Sequence, residues 1–408
     1  MKHLLAILSG IVSLTACAQW NLISNHSDHE YALSVVNRDT IVVVGFGNTF
    51  HLTTNGGQQW SLSQTMFTQS WFMDVHFPTE TVGYACGGSA FGLHKEVIVK
   101  TTNGGETWDS LTANAFGWFV FTMIHFLNED TGFVAREVES ILRTTDGGMS
   151  FTILPTDGIV DAIHFTEDQV GFISTRKALG SSYDYTYTIQ RTTDLGDTWL
   201  TVYSDTMQGV SGSDHRRVNR IQFVNDLVGF AVGGNGLFLR TIDGGDTWSH
   251  SFVHPFSELT ALHFTSLSTG YINNAGGIYK TRDGGTTWTV QKISPPAIIN
   301  GIAFANDTIG FATSVDGVYK TVNGGEVLGM DLVTSAGFSV YPNPTDGLLL
   351  LQGADLIESV TLYNSFGQPL RSIGGRINRL DISDLPSGLY TVCIETAVAR
   401  SCCKVVKM

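Results

Sequence analysis

The sequence predicts an all-β protein, a seven-bladed β-propeller closed by an N-terminal strand and followed by a small C-terminal β-sandwich. Three observations carry this. A turn motif recurs seven times at near-regular spacing, and a period-two strand pattern stands ahead of six of those turns. The composition has 45 Gly, only 9 Pro and only 15% charged residues, as expected of a turn-dense β protein.

The turn motif is clearest in Thr241-Ile242-Asp243-Gly244-Gly245-Asp246-Thr247-Trp248. The other copies centre on Asn55, Asn103, Asp146, Asp194, Asp283 and Asn323, and an aromatic follows as Trp60, Trp108, Phe151, Trp199 or Trp288 in all but the last. Successive Asp/Asn positions lie 48, 43, 48, 49, 40 and 40 residues apart, the length of a propeller blade. An Asp or Asn side chain is expected to bond backbone N–H groups about two residues on, the glycines supply positive φ, and the aromatic opens the next strand. Asp and Asn alternate freely, which suits an acceptor for backbone and not a charge-dependent metal or catalytic role.

The second signature runs from strand A into strand B of each blade. Val75-His76-Phe77 leads to Gly83-Tyr84, Ile124-His125-Phe126 to Gly132-Phe133, and Ile163-His164-Phe165 to Gly171-Phe172. Ile221-Gln222-Phe223, Leu262-His263-Phe264 and Ile302-Ala303-Phe304 lead likewise to Gly229, Gly270 and Gly310. Four His at one repeat position invite a metal-ring reading. Gln222 and Ala303 at the same position argue for a structural role instead.

The last turn lacks its aromatic, yet Gln19-Trp20-Asn21-Leu22 resembles Gln59-Trp60-Ser61-Leu62, and Trp20 to Asn37 is the same interval as Trp60 to Phe77. Trp20 to Ser24 is therefore expected as strand D of the blade that holds Gly310 to Thr321. Such a strand closes the ring and removes its open edges.

Three repeats are longer than the rest. The extra residues fall in the B-to-C connections around 88–96 and 175–187 and in the D-to-A connection around 204–217. In antiparallel four-stranded blades these emerge on one face, opposite the Asp/Asn turns. They bring His94, Lys95, Arg176, Lys177, Tyr183, Tyr185, Tyr187, His215, Arg216 and Arg217 to that rim, among Glu96, Asp184, Asp205 and Asp214. Inserted loops on a rigid scaffold concentrate binding residues, and Tyr with Arg is an interface combination. Arg176, Tyr185, Arg216 and Arg217 are the candidate partner-binding residues.

Before the repeats, Met1-Lys2-His3 and the apolar run from Leu4 to Val12 read as a signal peptide spanning 1–18, too short to cross a bilayer as a helix. Ala16-Cys17-Ala18 fits cleavage before Gln19. Leu14-Thr15-Ala16-Cys17 also fits a lipoprotein box with Cys17 acylated, and the first reading is favoured because its small-x-small pattern is complete. No later segment has the length and apolarity of a spanning helix. The expected propeller covers 19–326, a linker 327–337, and the sandwich 338–408.

Net charge is −14, which disfavours nucleic acid or an anionic membrane as a whole-molecule partner. Cys86 reads as a buried apolar residue. Cys393, Cys402 and Cys403 allow one disulfide across a hairpin, with connectivity open. Glycine follows turn spacing and not a phosphate-cradling pattern, so no cofactor is implied, and no His accompanies the cysteines at metal-ligand spacing.

The last seventy residues resemble the type A C-terminal sorting domain of the type IX secretion system of Bacteroidetes. The matching elements are Tyr341-Pro342-Asn343-Pro344 with Gly347, Tyr363-Asn364 with Phe366-Gly367-Gln368, Leu380-Asp381-Ile382, Leu385-Pro386-Ser387-Gly388-Leu389-Tyr390, and Lys404-Val405-Val406-Lys407. The resemblance implies passage through the periplasm, recognition at the outer membrane by the type IX machinery, and release or attachment at the cell surface. The repeats resemble the BNR or Asp-box propellers, and within them the photosystem II assembly factor family, through structural residues that support the fold and not a photosynthetic role.

Sialidases and xyloglucanases also carry Asp boxes, which makes a glycoside hydrolase the alternative function. No Phe/Tyr-Arg-Ile-Pro motif is present. Arg216, Arg217 and Arg220 are near neighbours on a strand where alternate residues face opposite ways, so they are not expected all to converge. The reading favoured is a non-catalytic surface or secreted binding protein whose ligand is a protein or a glycan.

Overall fold

The computed structural model describes residues 19–25, 30–64, 70–89, 96–111, 120–180, 184–207, 216–254, 257–274, 277–326, 339–352, 357–364, 368–375, 377–395 and 400–407. The expected signal peptide, Cys17 and the linker lie outside them. So do the rim residues His94, Lys95, Tyr183, Asp214 and His215, and Phe366-Gly367 of the sorting motif.

Residues Gln19–Gly325 form one compact unit, and the chain beyond them belongs to another. In the first, the described residues build seven sheets, each with its A strand at one edge. Blade 1 begins with Glu30–Val35, blade 2 with Ser70–His76, blade 3 with Phe121–Phe126 and blade 4 with Ile159–Phe165. Blades 5, 6 and 7 begin with Val218–Phe223, Leu262–Phe264 and Ile299–Phe304. These are the A strands.

Blade 7 takes its fourth strand from the N-terminus. Trp20–Ser24 pairs antiparallel with Gly317–Thr321, and Asn21 faces Lys320. A feature not expected from the sequence is a further short strand, Ile293–Ser294, parallel to Trp20–Asn21 on the outer side. Trp20 is fully buried and meets Tyr271 and Phe304 edge-on, with centroids 6.3 and 5.6 Å away. Burial of this side chain contributes roughly 2–3 kcal/mol in transfer terms. Val35, facing Ile41, occupies the place that Phe126 holds opposite Gly132, so Val35 and not Asn37 is the blade 1 counterpart of the repeated Phe.

Each Asp-box turn is built around a threonine as much as around the Asp or Asn. In blade 5 the Thr241 hydroxyl accepts from Gly245 N–H at 3.0 Å and donates to Asp243 at 2.7 Å. Asp243 Oδ1 accepts from Thr247 N–H at 3.0 Å, four residues on rather than two. Thr53, Thr101, Thr144, Thr192, Thr281 and Thr321 accept from the corresponding backbone N–H in the other blades. Gly244 and Gly245 have φ of 72° and 81°, the region glycine favours. Leu195, with φ 57°, takes the first of these places in blade 4.

The Phe-to-Gly signature has a steric cause. A Cβ on Gly132 would stand 2.5 Å from the Phe126 ring, so the ring of the A strand lies flat on the glycine that opens strand B. Between blades, a basic side chain on strand C donates to a turn carbonyl of the next blade: Lys100 to Gly147 O at 3.2 Å, Arg143 to Leu195 O at 2.9 Å, and Lys280 to Gly324 O at 2.7 Å. Lys320 to Gly56 O at 2.6 Å continues the series across the junction of blades 7 and 1.

The second unit packs a three-stranded sheet (Ser339–Tyr341, Leu348–Gln352, Arg379–Asp381) with a four-stranded one (Pro369–Gly374, Ser359–Tyr363, Gly388–Glu395, Arg400–Lys407). Leu349, Leu351, Val360, Leu380, Val392 and Val405 belong to its core. Two parts of the sorting signature bond each other here. Asn343 Nδ2 donates to Lys404 O and Asn343 Oδ1 accepts from Val406 N–H, both at 2.8 Å. Tyr390, two residues after Gly388 in the same strand, donates its hydroxyl to Pro386 O at 2.7 Å. Cys393 is disulfide-bonded and stands opposite Cys402 in register, whereas Cys403 is a free thiol that burial pushes up to about 11.

Candidate binding site at the channel mouth

The A strands do not run evenly. Near its start, each of six slips by one residue against its partner: at Tyr31, Met73, Thr122, Asp161, Asn219 and Asn300. In blade 6 the strand starts later, and Asn273 Oδ1 takes the N–H groups of Thr260 and Ala261 at 2.8 and 2.7 Å. A bulge turns the extra side chain out of the sheet and re-aims it. Those six residues and Thr260 all line one cavity of about 340 Å³ where the A strands begin, on the face opposite the Asp boxes.

Glu137, Arg176, Arg217 and Arg220 line the same cavity. Arg176 donates to Asp161 Oδ1 at 2.6 Å, and Arg217 lies 3.8 Å from the same oxygen. Arg217 is further fixed by Asn219 Oδ1 at 2.7 Å and by Glu258 at 3.6 Å. Arg220 bonds Asn219 O at 3.0 Å and reaches Met123 Sδ at 3.7 Å, and it makes no ion pair among the described residues. Burial pushes the Asp161 carboxyl up to about 6 although Arg176 and Arg217 pull it down. Asp74, whose carboxylate accepts from Ile124 N–H at 3.0 Å, is also held above its usual range by burial, against the pull of Arg220.

Of the four residues expected from the sequence to bind a partner, Arg176 and Arg217 therefore meet, and Tyr185 and Arg216 stand apart. Arg216 pairs with Asp205 at 2.9 Å and lies over the Phe252 ring. Tyr185 faces Met207 in the sheet and stacks on Tyr187. The expected blade 4 loop is largely strand, since pairing continues from Arg176–Tyr187 to Ala178–Tyr185. Glu96 is no rim residue either, because it is buried in an ion pair with Arg136 at 2.9 Å. Strict alternation fails at Asn219. The bulge there shifts the phase, so Arg217 and Arg220 both reach the cavity while Arg216 does not.

The repeated histidines sit three residues beyond the bulges, where they serve the free edge of the neighbouring A strand. His76 Nδ1 accepts from Phe126 N–H at 3.2 Å, His125 Nε2 from Phe165 N–H at 3.3 Å, and His164 Nε2 from Phe223 N–H at 3.1 Å. Gln222 does the same with its amide oxygen to Phe264 N–H at 2.7 Å. An imidazole nitrogen and an amide oxygen are interchangeable as acceptors, which explains Gln in a histidine position. Surrounding protein strips water from the rings and pulls His76, His164 and His263 down to about 4, so they are neutral at physiological pH. Among the described residues no group of three or more His, Cys, Asp or Glu is placed to hold a metal ion.

Residues 152–327 match the family model described as photosynthesis system II assembly factor YCF48, and residues 339–408 match the secretion system C-terminal sorting domain. The chain thus joins repeats similar to the YCF48 propellers to a C-terminal segment similar to the secretion-system sorting domain. No curated protein matches it. Among solved structures, YCF48 bound to D1 peptide is 17% identical, with a TM-score of 0.57 over 75% of this chain and 97% of that one. YCF48 from Cyanidioschyzon merolae is 15% identical, with a TM-score of 0.56 over 74% and 99%. The extracellular domain of BT4673 from B. thetaiotaomicron, described as a one-component system, is 10% identical, with a TM-score of 0.56 over 96% and 59%. At these identities the likeness is one of fold. The sorting domain implies secretion by the type IX system, to the medium or the cell surface.

Proposed function

We propose that the propeller is a non-catalytic binding module that receives an anionic group of a partner protein in the channel mouth. Arg176, Arg217 and Arg220 contact that group, and Tyr185 and Arg216 belong to the outer rim. The observation that carries this reading is the convergence of the three arginines on a cavity lined by residues from all seven blades, with bulged backbone aiming them. A polypeptide partner is favoured because the YCF48 propeller, of the same fold, has been solved bound to a peptide. Glycoside hydrolysis is disfavoured, since two carboxyls must flank one bond. Asp161 is tied to Arg176, and Glu258 is held by Asn219 at 2.7 Å and by Arg217.

The test is an acidic-peptide and glycan array probed with the full chain, beside one variant with Arg176, Arg217 and Arg220 changed to Ala and another with Tyr185→Ala and Arg216→Ala. Saturable peptide binding lost at least tenfold in the first variant and kept within about threefold in the second is the expected outcome. Glycan binding indifferent to the three arginines, or release of free sugar, would refute the assignment.

A further inference from the structure

Asp161 is the only member of the bulge ring that carries charge at neutral pH. Its side chain is 8% exposed, Oδ1 is engaged by Arg176 and Arg217, and Oδ2 is buried with no hydrogen-bond partner. A buried carboxylate oxygen without a donor is costly, and a proton on Oδ2 removes the buried charge while leaving Oδ1 as an acceptor. The same carboxylate lies against two guanidiniums at the mouth and offsets one of their two charges, so an incoming anion competes with an anion already resident. The other charged or titratable groups around it are Glu258 near Arg217, Glu137 and Arg220 on the cavity wall, Tyr31 across the ring, and Tyr187, whose phenol burial pushes up to about 12.

We propose that Asp161 is an internal counter-anion that keeps the arginine site closed to anions at neutral pH, and that protonation of its Oδ2 opens the site. This rests on the channel mouth being a binding site. The buried carboxyl, pushed up to about 6, changes charge between neutral and mildly acid pH, while Arg176, Arg217 and Arg220 stay charged. For a ligand that keeps its own charge, affinity then rises as pH falls through 6 and is flat where Asp161 is fully ionised. Asn at position 161 reproduces the protonated form at every pH.

The probe is 2-naphthalenesulfonate, a permanent anion with an apolar ring suited to a cavity also lined by Met73, Met123, Ile159 and Val160. Its affinity for the full chain is read by fluorescence titration at pH 7.5 and 5.0, in the wild type and in Asp161→Asn. The expected result is about tenfold tighter binding at pH 5.0 in the wild type. The variant should bind at both pH values, within about twofold, as tightly as the wild type does at pH 5.0. A variant that keeps the wild-type pH slope, or a wild type without one, overturns the proposal. Probe binding that survives replacement of Arg176, Arg217 and Arg220 by Ala, or no binding by any form, overturns the site itself and the proposal with it. Independently of the variant's folding, the wild-type Asp161 carboxyl carbon followed by NMR should titrate near 6, and a midpoint in the ordinary carboxylate range refutes the switch.

Discussion

The two faces of the propeller are built by opposite means. On the Asp-box face every blade repeats one device, a threonine hydroxyl and an Asp or Asn side-chain oxygen closing a turn that holds two glycines in six blades and Leu195-Gly196 in blade 4. On the channel-mouth face the backbone irregularity recurs while the side chains span five residue types over seven positions: Tyr31, Met73, Thr122, Asp161, Asn219, Thr260 and Asn300. Repetition of the side chain marks what holds a blade together. Repetition of the backbone with a varied side chain marks where one molecule is made specific.

If that division is right, structural perturbations and binding perturbations separate. The largest effect is expected from removing residues 19–25, which takes away the closing strand and the buried Trp20. The melting temperature should fall by more than about 10 °C, and an unchanged value would show that the ring closes without that strand. Next is Arg136→Ala, which leaves Glu96 charged and buried and should cost about 3–5 kcal/mol in denaturant titration. It lies on the mouth side, so its cost would show that this face also holds structural pairs and would sharpen the comparison. Thr241→Val strands the buried Gly245 N–H and should cost about 1–3 kcal/mol while leaving ligand binding intact. Arg220→Ala should do the reverse, and a loss of binding in the threonine variant would break the division.

The smallest effect is the pH dependence from the histidines. Their folded values near 4 lie below the ordinary 6.5, so between these limits the unfolded chain binds more protons. Their contribution is whole above 6.5 and is lost as pH falls towards 4. His76→Gln, with the acceptor that blade 5 already uses, should flatten the stability profile over that window relative to the wild type, as read by thermal melts at pH 7 and 5.

The fold was legible in the sequence because seven imperfect copies average out local exceptions, so that even the missing aromatic after Asn323 pointed to Trp20. The reach of the Asp-box bond was misjudged by two residues. The threonine that accepts from the second glycine was passed over although Thr stands there in every copy from Thr53 to Thr321. The site was half legible. Loop length points to the face that carries the cavity and to Arg176 and Arg217, which line it, but strand alternation argues against Arg220, and alternation is what the bulge at Asn219 suspends. A one-residue slip leaves no trace in hydrophobic periodicity, because the core positions on either side of it keep their character.

The contact that seals the ring also fixes a direction. Gln19 Nε2 donates to Gly325 O at 2.6 Å, so the first and last residues of the propeller sit side by side at the Asp-box turn of blade 7. The propeller therefore begins and ends on its Asp-box side, whereas the arginine-lined mouth stands on the opposite face.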